Sequence, residues 1–129
     1  MEKLRTLCLI NGEWRGAHSG ATFSVKNPAN DEVLANVPNL DRDQVTEAIE
    51  AAHHAFPAWR DCPARDRARM LRALGDKLLA RRDEFARLIT LEQGKPLAES
   101  LGEVSYSVNY LHWFAEERSE EHTSELQSH

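Results

Sequence analysis

The chain has 129 residues, 41% of them hydrophobic and 29% charged, with 16 Lys and Arg against 21 Asp and Glu. This is the composition of one globular domain, or of a piece of a larger one. The net charge of −5 argues against nucleic acid or an anionic membrane as partner. No run of about 18 apolar residues offers a transmembrane helix. The start, Met1-Glu2-Lys3-Leu4-Arg5, lacks the features of a signal peptide. Two cysteines, Cys8 and Cys62, are too few for a disulfide framework or a structural zinc site. These features together predict a cytoplasmic protein. Six glycines, with no GxGxxG or GxxxxGK[ST] among them, leave no sequence signature of a phosphate-cradling loop.

The first 40 residues read as short strands and turns. Thr6 to Ile10 is a short apolar run, Asn11-Gly12 is a hairpin turn signal, and Glu13-Trp14-Arg15 returns from it. Gly16 to Ala21 is a loop. Thr22 to Val25 alternates with period two, and Asn27 to Asp31 turns again. Glu32 to Val37 is extended and stops at Pro38. The period then becomes helical. Asp41 and Gln44 have capping-box spacing, and Val45, Ala48, Ile49, Ala52 and Phe56 form one apolar stripe that ends near Pro57. A second helix of about 30 residues starts after Cys62 with Pro63 in its first turn. Its stripe is Leu71, Leu74, Leu78, Phe85, Leu88 and Ile89, and Gly94 and Pro96 close it. A third helix runs from about Leu97 with Leu101, Val104, Val108 and Leu111 on its stripe. Tyr106, Tyr110, Trp113 and Phe114 extend its apolar surface nearly all round. That is more than the first two helices can cover, so the pattern predicts missing partners and a chain of marginal stability on its own.

From Arg118 the character changes, with Leu126 the one apolar residue among the last twelve. Residues 118–129 read as a disordered polar tail. They also resemble an in-frame translation of a common sequencing-library adapter, which makes this tail non-native and the natural gene expected to continue past Glu117.

Several residues invite a chemical reading and have a plainer one. Cys62, at a helix start, could gain thiolate character from the helix dipole, but is expected to be a structural or surface thiol. Cys8 reads as a buried inert thiol. Adjacent His53 and His54 diverge by about 100° on a helix and cannot share a metal. His112 reads as a solvated or packed helix residue. Arg65, Arg67, Arg69, Arg72, Arg81 and Arg82 look like a phosphate site, yet the interleaved Asp66, Asp76, Asp83 and Glu84 favour an ion-paired, solvated face.

Five motifs follow one another: Leu9 to Trp14 (LINGEW), Asn27 to Asn30 (NPAN), Pro57 to Arg60 (PAWR), Leu91 to Glu99 (LEQGKPLAE), and Gly102-Glu103 followed by Trp113 to Glu117 (WFAEE). In this order they closely resemble the N-terminal quarter of the aldehyde dehydrogenase superfamily, nearest its succinate-semialdehyde and glutarate-semialdehyde branch, over residues 7 to 117. The resemblance implies an α/β fold with a doubly wound parallel sheet in the parent enzyme. Residues 1–117 would give short N-terminal strands followed by three helices of its cofactor-binding domain. It also implies a homo-oligomeric parent that oxidises a small-molecule aldehyde to the acid with NAD or NADP. In that chemistry a cysteine thiolate forms a thiohemiacetal, hydride leaves to the nicotinamide, and a glutamate-activated water hydrolyses the thioester. In the family those groups lie downstream of the positions present here. This chain is therefore expected to hold no catalytic residue, bind no cofactor and be inactive.

Two further assignments come from the resemblance. A monovalent cation would take the Glu92 carboxylate and the main-chain carbonyls of Val25 and Lys26, oxygen ligands suited to a hard cation; otherwise Glu92 hydrogen-bonds its own loop. Tyr106 falls where the family lines its substrate tunnel; otherwise it is ordinary core. The alternative function from another class is a standalone helical interaction module, without catalysis, that presents its aromatic stripe to a partner protein.

Overall fold

A computed structural model describes residues 4–127, with side-chain surroundings through Glu117. The chain divides into two compact units: Met1–Arg60 with Leu91–Gly94, and Asp61–Thr90 with Lys95–His129.

The first unit carries the strands. β1 (Cys8–Ile10) and β2 (Glu13–Arg15) pair antiparallel, Cys8 opposite Arg15 and Ile10 opposite Glu13. Asn11 (φ 52°) and Gly12 (φ 77°) both lie in the left-handed region, as a two-residue hairpin whose twist matches its strands requires. β3 (Thr22–Lys26) pairs antiparallel with β4 (Val33–Pro38), Val25 opposite Ala35 and Lys26 opposite Val33. That register leaves Leu34 as one extra residue on β4, a bulge. Between them the Asn27 side chain accepts the Ala29 amide at 3.0 Å and its carbonyl accepts the Asp31 amide at 2.8 Å. Pro38, which has no N–H to give a ladder, is the last residue of its strand.

α1 (Arg42–Asp61) starts where Asp41 accepts the Gln44 amide at 2.9 Å, the expected cap. The returning arm of the capping box is absent, because the Gln44 side chain is used elsewhere. It is 1% exposed, donates to the Gly16 carbonyl and accepts the His18 amide, each at 3.2 Å. The helix also passes through Pro57 rather than ending there. The proline removes one backbone bond, but its fixed φ is helical and only four residues follow it. The predicted stripe on α1 is not core in this chain: Val45, Ile49 and Phe56 are exposed.

The second unit is helical: α2 (Ala64–Ala80), α3 (Arg82–Gln93, whose last residues fall in the first unit) and α4 (Leu97–Gln127). The described residues thus form four helices where three were expected. The predicted 30-residue helix breaks at Arg81 (φ −110°, ψ 22°), whose amide turns back to the Leu78 and Leu79 carbonyls. Asp83 and Glu84 then open α3, where carboxylates favour the positive end of a new helix dipole. The seven-residue step from Leu78 to Phe85 spans this break unaltered, so the hydrophobic period does not reveal it. α2 packs on α4 through small residues, with Ala68 and Gly75 buried on one and Val104, Val108 and Ala115 on the other. The buried Ser100 hydroxyl pairs with Thr90 at 2.7 Å. Gly94 (φ 78°) follows α3 as predicted.

α4 remains helical to Gln127, past the point where a disordered tail was expected. No Gly or Pro follows Gly102 in the chain, and Glu, Leu, Gln and Arg propagate a helix already nucleated.

Candidate functional site

The two turns that carry the cation assignment lie in one unit and touch. A Cβ placed on Gly94 would come within 3.0 Å of Pro28 Cγ, so the turn after α3 rests on the turn after β3. The left-handed backbone and this close approach both require glycine there. Glu92 and Lys26 are exposed and Val25 is half-buried. Val25 and Lys26 are consecutive on β3, whose period of two points successive carbonyls to opposite edges of the strand. Among the described residues, no group of three or more His, Cys, Asp or Glu side chains forms a metal site.

Tyr106 is not core in this chain. It is 62% exposed, and its hydroxyl donates to that of Tyr110 at 3.2 Å, with ring centroids 4.9 Å apart. Donation to Tyr110 raises the Tyr106 hydroxyl above its ordinary value near 10. The rings continue along α4, Tyr110 to Phe114 at 6.1 Å and Phe114 to Trp113 at 5.0 Å, and all four are half or more exposed. Helical spacing places them roughly opposite Val104, Val108 and Ala115.

The remaining candidates resolve to structural roles. Cys8, expected buried, is half-buried in β1, and Cys62 is half-buried between α1 and α2. His54 Nδ1 lies 2.7 Å from the Glu50 carbonyl, one turn back on its own helix. His112 Nε2 meets Asp76 Oδ1 at 3.0 Å over Gly75, where a Cβ would come within 2.7 Å of the same nitrogen. This hydrogen-bonded pair across α2 and α4 was not foreseen, and the seat that Gly75 leaves for the imidazole is its one sequence trace. Within the arginine run, Arg69 pairs with Asp66 at 3.8 Å and Arg81 with Glu84 at 2.7 Å as expected, while Arg72 reaches Glu116 of α4 at 3.4 Å and Arg82 Nε donates to the Leu101 carbonyl at 3.4 Å.

In doubly wound folds a dinucleotide sits on a glycine-rich turn between a parallel strand and a helix N-terminus, and no such turn occurs among the described residues. Here both sheets are two-stranded and antiparallel, and Asn39-Leu40-Asp41, the link from β4 to α1, holds no glycine.

What the fold does define is an α/β strand-and-helix segment whose backbone recurs within longer chains. The chain belongs to the aldehyde dehydrogenase family, whose model matches residues 14–129. It is 49% identical over 113 residues to a succinate-semialdehyde dehydrogenase [NADP(+)] of Escherichia coli, covering 88% of this chain and 23% of that protein. It is 46% identical to a glutarate-semialdehyde dehydrogenase of Pseudomonas putida, covering 88% and 24%. Among solved structures, a succinate-semialdehyde dehydrogenase from Burkholderia pseudomallei matches with a TM-score of 0.85 at 46% identity, covering 88% of this chain and 24% of that one. A betaine aldehyde dehydrogenase of Staphylococcus aureus in complex with NAD+ matches with a TM-score of 0.84 at 34% identity, covering 88% and 23%. The chain spans about a quarter of the length of these relatives.

Proposed function

We propose that this chain is the N-terminal quarter of a cytoplasmic NAD(P)-dependent aldehyde dehydrogenase that oxidises succinate or glutarate semialdehyde to the dicarboxylic acid. The observation that carries this reading is the 49% identity to the Escherichia coli enzyme over 113 residues, together with a TM-score of 0.85 to the Burkholderia structure. The parent works as a homo-oligomer, and neither nucleic acid nor membrane is its partner. No helix among the described residues is long and apolar enough to cross a membrane. The chain itself supplies neither the thiolate nor the water-activating base, and its residues do not cradle the nicotinamide cofactor. Its part is to frame the domain that does. Residues 118–129 are a foreign tail with no part in that frame, and Glu92 with whichever of the two consecutive carbonyls, Val25 or Lys26, faces its turn is a cation seat that steadies the paired turns. Tyr106 lines the path of the aldehyde.

The test is to express the complete reading frame beside the 129-residue chain and assay both semialdehydes with NAD and with NADP. Reduced cofactor is expected from the complete protein and none from the chain. Turnover by the chain itself would overturn the reading.

A further inference from the structure

The first hairpin ends on Asn11-Gly12, and both residues are exposed. β1 and β2 have three residues each in a sheet of two strands, so three residue pairs hold the tip closed. A two-stranded hairpin of this length is marginal in water, and its tip opens at little cost. Among the described residues, the Asn11 carboxamide has no hydrogen-bond partner. No other part of the chain, sequence neighbours aside, lies within 4 Å of the place a Gly12 Cβ would take. The Gly12 amide therefore stands next to a free carboxamide with no side chain to crowd an approach between them.

The other asparagines lack this combination. Asn27 precedes Pro28, which has no N–H, and its side chain is held by the Ala29 amide at 3.0 Å. The Asn30 side chain accepts the Glu32 amide at 3.0 Å, and that of Asn36 accepts the Ser24 hydroxyl at 2.8 Å. Asn109 lies inside α4, where the amide that follows it belongs to the helix ladder. Asn39 is exposed like Asn11, but the branched side chain of Leu40 follows it.

We propose that Asn11-Gly12 is a site of spontaneous covalent modification, at which Asn11 converts to isoaspartate and the first hairpin comes loose from α1. When the turn opens, the Gly12 amide nitrogen attacks Asn11 Cγ. The new N–Cγ bond forms as the Cγ–Nδ2 bond breaks, and the carboxamide nitrogen leaves as ammonia with the amide proton. Water then opens the cyclic imide at either carbonyl, giving aspartate or an isoaspartate whose backbone runs through the former side chain. Nothing is oxidised or reduced. Isoaspartate adds a backbone carbon to a turn whose two residues, at φ 52° and 77°, both lie in the left-handed region. Loop length fixes hairpin register, so the lengthened turn no longer sets Cys8 opposite Arg15. In the present register the Arg15 guanidinium holds Glu13 at 3.2 Å and Glu47 of α1 at 3.0 Å, and it is the latter tie that the modification releases. This inference needs the hairpin alone and is independent of the substrate reading.

The test incubates the purified 129-residue chain at neutral and at mildly alkaline pH in water enriched in heavy oxygen. Peptide mass spectrometry reads the exchange of NH2 for labelled OH at Asn11 and at Asn39, and electron-transfer fragmentation separates isoaspartate from aspartate. Conversion at Asn11 is expected to be at least tenfold faster than at Asn39, faster still at alkaline pH, with isoaspartate the major product. Equal rates at the two asparagines would overturn the proposal, as would aspartate formed without isoaspartate. Deuterium uptake over residues 8–15 is then compared in the unmodified chain, the converted chain and Asn11→Asp, which carries the new charge on a backbone of unchanged length. Uptake should rise at least threefold in the converted chain and match the unmodified chain in Asn11→Asp. Unchanged uptake after conversion would overturn the loosening of the hairpin, and an equal rise in Asn11→Asp would assign it to charge and overturn the argument from turn length.

Discussion

Among the described residues of the unit that carries the strands, the side chain most completely withdrawn from water is Gln44, and Ile10 is the buried hydrophobic residue. In the helical unit the withdrawn residues are Ala68, Ala86, Val104, Val108 and Ala115, with Ser100 as the buried polar one. The first unit is thus held by directional bonds to backbone, in hairpins, Asx turns and the Gln44 bridge. The second is held by close approach of helices over small side chains. Each has a different weakness: the first loses most when a hydrogen-bonding group is left unmet, the second when a foreign volume or charge enters a tight seam.

The largest effect should come from the seam. Val108→Asp places a carboxylate where the wild-type side chain is 3% exposed, and should cost about 3–5 kcal/mol, the range for an uncompensated buried charge. Urea titration followed by circular dichroism should show loss of the cooperative helical transition. An unchanged midpoint would mean that α2 and α4 do not depend on their contact.

A smaller loss, about 1–3 kcal/mol, is expected for Gln44→Leu, which strands the Gly16 carbonyl and the His18 amide without their partner. Amide exchange should quicken at His18 before it does in α4. If exchange rises equally in both places, the two units do not differ in the way described.

The smallest effect is electrostatic and exposed. The Arg81 guanidinium, hydrogen-bonded to Glu84, holds that carboxyl below its ordinary value of 4.5. A lowered folded value stabilises above the unfolded value and is lost as pH falls through the folded one. Arg81→Ala should therefore raise the Glu84 titration midpoint, read by carbon NMR, and remove this contribution to acid sensitivity. A midpoint unmoved by the substitution would break the link.

How far these features could be read from the residues depends on how local their cause is. Asn11-Gly12 and Gly94 announce positive φ by composition, because few other residues take it without strain. The family likewise shows through because its motifs are contiguous strings. The break at Arg81 hides inside a seven-residue step, and the passage of α1 through Pro57 depends on how little helix remains after it. Gln44 sits at capping-box spacing, but its side chain is claimed by a loop 26 to 28 residues upstream. Tyr106 fits a helix stripe equally well as core or as surface. Only the position of α2 decides between them, and period alone does not carry that position.

The seating of Gly94 on Pro28 has a consequence for the order of folding. The four residues Leu91–Gly94 belong to the strand unit, yet they lie between two stretches of the helical one. During synthesis the hairpins and α1 emerge first, but the strand unit lacks its last piece until the chain through Gly94 has cleared the ribosome. By then α2 and most of α3 are already exposed to their surroundings. A nascent chain that pauses between Pro28 and Gly94 therefore holds an unfinished unit with free strand edges, the state in which association with other chains is hardest to avoid.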